Sequence, residues 1–146
     1  MQVFRHYENL PDEVRGSSIA IGNFDGVHLG HRAVIGEAGR IAHGQGIPWT
    51  VLSFEPHPRT FFSPNNEAFR LTPFRTKAHH IEELGVDNLI VLHFDKNFAA
   101  LSADDFVMKV LVEGLDARHV VSGYDFVFGN KRAGNCGLLL QKGKNQ

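Results

Sequence analysis

Ten consecutive residues, Gly22-Asn23-Phe24-Asp25-Gly26-Val27-His28-Leu29-Gly30-His31, gather the types and spacings best suited to chemistry. Gly22, Gly26 and Gly30 permit positive φ and close approach of the backbone to a ligand. His28 and His31 are three apart, so on a helix they share a face. Unpaired N–H groups at a helix start attract an anion, and the helix dipole adds to that attraction. Two imidazoles beside such amides suit a polyphosphate. They can donate to phosphate oxygens and stabilise the charge that grows on a departing pyrophosphate. The segment is not a P-loop, because G-x-x-x-x-G-K-[ST] is absent, and its glycines do not fit G-x-G-x-x-G. Asp25, His28 and His31 also form a donor set that zinc accepts. The glycine-rich setting makes phosphate the better target, so no resident metal is expected.

Positioning these groups requires a strand before them and a helix after them. Residues 18–22 read as the strand and His31 to Ala42 as the helix, with Val34, Ala38 and Ile41 at helical spacing. Gly36 and Gly39 weaken that helix by about 1 kcal/mol each relative to Ala. Residues 49–54, 88–93 and 118–122 read as three more strands. Glu55-Pro56-His57-Pro58, with Pro64 further on, is a loop that no regular helix can occupy. Thr72 as N-cap with Pro73 at the first helical position opens a helix to Leu84, stopped by Gly85. Ser102 to Asp105 caps another, whose apolar side is Phe106, Val107, Val110 and Leu111. A final helix start over Gly137 to Leu140 runs into a polar tail. Strands spaced by helices predict an α/β fold, a parallel sheet with helices on both faces. In such a sheet ligands bind beyond the carboxyl ends of the strands, where the glycine-rich segment lies.

Composition narrows the function further. The 15 Lys+Arg against 16 Asp+Glu leave a net charge of -1, which argues against a general nucleic-acid partner. No apolar run reaches the ~18 residues of a membrane span, and the N-terminus carries no signal-like h-region. A single cysteine, Cys136, excludes an internal disulfide framework and fits a cytoplasmic location.

His28-Leu29-Gly30-His31 resembles the His-x-Gly-His signature of the nucleotidyltransferase superfamily. The fuller Gly-Asn-Phe-Asp-Gly-Val-His-Leu-Gly-His-Arg is similar to the adenylyltransferase module of bacterial bifunctional riboflavin kinase/FAD synthetases. Phe54 to Pro58 with Phe61-Phe62, Leu71 to Lys77, and Gly123 to Gly129 with Lys131 to Gly134 extend the resemblance over about residues 10 to 140. It implies a Rossmann-like nucleotidyltransferase fold and transfer of AMP from ATP, carried with magnesium (Mg2+), to FMN. By this resemblance His28 and His31 hold the ATP phosphates, and Gly22, Asn23, Phe24, Asp25, Gly26 and Gly30 line the nucleotide loop. Asp125 takes a polar position near the phosphates or metal. His57, Pro58, Phe62 and Phe128 form the flavin side, although Pro58 reads equally as a rigid loop and Phe62 and Phe128 equally as core. Arg59, Arg75, Lys131 and Arg132 read as solvated cations, and His79 and His80 as surface.

Family members also carry a downstream run close to Ile-Ser-Ser-Thr-x-Ile-Arg, and nothing after Gly134 matches it. The riboflavin kinase barrel is absent as well. The expectation is an FAD synthetase domain over residues 1–146, incomplete at its C-terminus. Its FAD formation is expected to be slower than that of an intact module by on the order of 10²–10³. A binding module without turnover is one alternative. Another is a nucleotidyltransferase acting on pantetheine phosphate, a nicotinamide nucleotide or glycerol phosphate.

Overall fold

Ser18-Ile19-Ala20-Ile21 is buried along its whole length, so the strand needs cover on both faces. A computed structural model describes residues 1–22, 24, 29–55, 74–93, 98, 100–122, 127–128 and 134–135, and in it this strand lies inside a five-stranded parallel sheet. In chain order the sheet contains β1 (Gln2–Phe4), β2 (Ser18–Ile21), β3 (Trp49–Glu55), β4 (Asn88–His93) and β5 (His119–Ser122). The spatial order is β1-β4-β3-β2-β5. Ser18 stands opposite Trp49 on one side and His119 on the other, and Thr50 opposite Asn88. The four expected strands agree with these to within one residue at each end. The edge strand β1 is additional: three residues are too few to show a period of two.

Helix α1 (Leu29–Gln45) follows β2 and begins two residues before the expected start. Helix α2 (Phe74–Glu83) ends where Ile81 and Glu82 accept from the amides of Leu84 and Gly85. Gly85 makes that stop at φ +99°, a conformation that a Cβ disfavours. Helix α3 opens over Ala103–Asp105 with the Asp105 amide donating to Ser102 Oγ at 3.1 Å, the cap the sequence predicts. It then widens to π-type winding over Phe106–Gly114, where a regular helix was expected. Its four expected apolar residues are all buried. The Pro-rich loop after residue 55, Thr72-Pro73 and the tail from residue 136 lie outside the described residues. Glu55 itself is still strand, paired opposite His93, rather than the first loop residue.

Alternation along the strands sorts the core into two layers. Ile19, Ile21, Leu52, Phe54, Ile90 and Leu92 face α3. Ala20, Val51, Leu89 and Val91 face Ile35, Ala38 and Ala42 of α1 and Ile81 of α2. The amino ends of the strands are tied by buried polar groups. Ser17 Oγ donates to Val14 O, Thr50 Oγ1 to Ser17 Oγ at 2.9 Å, and Asn88 Nδ2 to Thr50 Oγ1 at 3.4 Å.

Candidate active site

The chain runs from β2 to β3 to β4 in one direction across the sheet, with α1 and α2 on one face. It then crosses by α3, on the other face, to β5 on the far side of β2. The winding therefore reverses between β2 and β5, and in open parallel sheets such a reversal point is where ligands bind, beyond the carboxyl ends. The segments that carry the candidate residues all leave from this edge. Gly22 to His31 follow β2, His57, Pro58 and Phe62 follow β3, and Asp125 and Phe128 follow β5. Strands β3, β2 and β5 are neighbours.

Gly22 extends the pairing of β2, its amide donating to Leu52 O at 3.1 Å. The ring of Phe24 then folds back over it. A Cβ on Gly22 would stand 2.9 Å from Phe24 Cζ and 3.0 Å from Cε1, closer than packed carbons tolerate. Phe24 is 3% exposed and packs in the α1 layer of the core, with φ +53°. A bulky residue in the left-handed region is a true backbone outlier, of a kind that clusters at ligand sites. Phe24 thus shapes the turn through its backbone while its ring anchors it. Gly30 and His31 lie in the first turn of α1. That turn itself holds no acidic residue, and the N–H groups of a helix's first turn carry the positive end of its dipole, which favours an anion.

Asn23, Asp25, Gly26, His28, His57, Pro58, Phe62 and Asp125 lie outside the described residues. Phe128 falls in a short strand β6 (Val127–Phe128) that pairs antiparallel with β7 (Gly134–Asn135), Phe128 opposite Gly134. The stretch read as a loop after the fourth strand therefore includes a two-stranded ribbon. Among the residues given no role, His79 pairs with Glu83 at the surface and Arg75 is exposed, as expected.

One residue at this edge was missed as a candidate. Lys77 of α2 is 1% exposed, and its Nζ donates to Ser53 Oγ at 3.0 Å and lies 3.4 Å from Glu55 Oε1. Its spacing of four from Ile81 places both on the inward face of α2, a signal present in the sequence. At the ends of β1 and β4, away from the reversal point, lies a cleft of about 600 Å³ lined by Arg5, His6, Tyr7, Leu92, His93 and Phe98 among others.

The family described as FAD synthetase matches residues 10–146. The bifunctional riboflavin kinase/FMN adenylyltransferase of Pseudomonas fluorescens is 42% identical over 146 residues, covering 100% of this chain and 47% of that protein. The Haemophilus influenzae protein of the same name is 40% identical over 144 residues, covering 99% of this chain and 47% of its own. The Escherichia coli K12 protein is 40% identical over 145 residues, covering 97% and 45%. The chain thus spans about half the length of the curated relatives it matches. A solved structure described as a macrolide-efflux protein from Streptococcus pneumoniae superposes with a TM-score of 0.77 at 23% identity, over 97% of this chain and 46% of that one. That likeness shows the fold alone. Among the described residues no helix is long and apolar enough to cross a membrane.

Proposed function

The chain belongs to the FAD synthetase family, and we propose that residues 1–146 act as its adenylyltransferase domain, moving AMP from ATP to FMN. A phosphate oxygen of FMN attacks the α-phosphorus of ATP. The new O–P bond forms as the bond to the β-phosphate oxygen breaks, and FAD and pyrophosphate leave. No covalent enzyme intermediate is needed, so the protein contributes position and electrostatics.

The observation that carries this reading is the departure of the candidate segments from three neighbouring strand ends at the reversal point. We assign His28 and His31, with the amides of the first turn of α1, to the ATP phosphates. Gly22, Asn23, Phe24, Asp25, Gly26 and Gly30 form the nucleotide loop and Asp125 a polar neighbour of the phosphates. His57, Pro58, Phe62 and Phe128 form the flavin side. Magnesium enters on ATP as part of the substrate, its oxygens coming largely from the phosphates. We place the reaction in the cytoplasm, where ATP is supplied.

The test is to incubate the purified chain with ATP, magnesium and FMN and to separate the products by chromatography. FAD and pyrophosphate in equal amounts are expected. Binding of both ligands without FAD would leave a binding module, and binding of neither would overturn the reading.

A further inference from the structure

Lys77 is the one charged side chain among the fully buried described residues. A buried cation is costly unless paired, and apolar residues in place of the Lys77–Glu55 pair as a whole are often as stable. Stability is therefore a poor reason for a lysine there. Its partners point to another. Ser53 and Glu55 are two apart on β3, so they share the face that meets α2. Along that face β3 passes from Val51 to Ser53 to Glu55, from apolar to polar to charged, as it nears the carboxyl edge. Glu55 is the last residue of the strand, and the segment beginning at residue 56 leaves from it. Lys77 thus pins α2 to the final two residues on this face of β3, beside β2 at the reversal point.

We propose that Lys77 is a positioning residue for the flavin substrate, fixing through Ser53 and Glu55 the direction in which the chain leaves β3. This rests on the adenylyl-transfer reading, which assigns His57, Pro58 and Phe62 of that following segment to FMN. The ATP phosphates are assigned to the segment after β2, so the two substrates should respond differently to loss of the pin.

The experiment compares Lys77→Met, Lys77→Arg and Glu55→Gln in the whole chain. Lys77→Met should raise the KM for FMN on the order of tenfold to a hundredfold while the KM for ATP stays within about twofold. Lys77→Arg, which keeps the cation, should recover part of the loss. Glu55→Gln, which keeps the volume and carries the test if Lys77→Met does not fold, should shift the same constant in the same direction, less strongly. Adding it to Lys77→Met should cost nothing further, because the two act as one unit. Equal effects on both substrates, no effect on either, or an Arg variant no better than Met would overturn the proposal. If the parent chain makes no FAD and binds neither ligand, the adenylyl-transfer reading fails separately. Amide hydrogen exchange then decides the positioning role: faster exchange at the end of β3 in Lys77→Met with β5 unchanged supports it, and unchanged exchange at β3 overturns it.

Discussion

His28 and His31 differ from the other histidines in their chain surroundings: glycines on either side, a strand before them in the sequence and the start of α1 at Leu29 between them. Under the proposed adenylyl transfer, replacing either by Ala removes a donor from phosphate charge that grows in the transition state. FAD formation should fall by about 10²–10³ while FMN binding changes by only a few-fold. Near-normal turnover in both variants would return the pair to a structural role. Gly22 makes a different kind of prediction. Because a Cβ there meets the Phe24 ring at 2.9 Å, Gly22→Ala should cost about 1–3 kcal/mol of stability, read by urea unfolding. An unchanged midpoint would mean that the ring can move aside. His31 was legible as part of a helix because the apolar spacing that follows it, Val34, Ala38 and Ile41, is local. The burial of Phe24 was not, since it depends on the core layer built by α1, Val51 and Val91. Lys77 was missed for a related reason: lysine is almost never fully buried, and only the end of β3 shows why this one is.

At the scale of the element, α1 shows how packing reverses a local rule. Sequence alone treats Gly36 and Gly39 as equal weaknesses in the helix. Around Gly36 a Cβ would meet nothing within 4 Å, so Gly36→Ala should stabilise the protein by about 0.5–1 kcal/mol. At Gly39 a Cβ would fall 2.6 Å from the indole of Trp49, whose Nε1 donates to Ile35 O at 3.0 Å. The indole is held by that hydrogen bond and by burial, so Gly39→Ala should destabilise by about 1–3 kcal/mol. Thermal melts of the two variants should move in opposite directions, and a shift of the same sign in both would contradict this account. The close approach of Trp49 seats α1 against the sheet and with it the first turn that carries Gly30 and His31. The C-terminal end of α2 and the cap of α3 were readable because Gly85 and Ser102 act within a few residues. The π-type winding of α3 was not, because Phe106 to Gly114 has an apolar pattern that serves either winding.

Across the whole molecule the two edges of the sheet are built differently. At the amino edge Ser17, Thr50 and Asn88 form a buried hydrogen-bonded chain that ties the approach to β2 to β3 and β4. At the carboxyl edge, among the described residues, the chain gives way to Gly22, to the Phe24 ring folded over it and to a buried cation. Parallel order makes this division available, since all five strands point their carboxyl ends the same way. The α/β class was legible because β-branched runs alternate with amphipathic stretches. The reversal between β2 and β5 was not, because strand order depends on which pairs form rather than on any one segment. If the division holds, damage at the amino edge should lower stability and leave chemistry alone. Thr50 is fully buried and bonded on both sides, so Thr50→Val takes the acceptor from the Asn88 amide and the donor from Ser17 Oγ, which keeps its own bond to Val14 O. The loss should be about 1–3 kcal/mol in urea unfolding. Below the unfolding transition the KM values for ATP and FMN should match the parent within about twofold, because no candidate segment leaves from that edge. A Thr50→Val protein that kept its stability but changed either KM would show that the two edges are coupled through β3, and that the pin at Lys77 is felt along the whole strand.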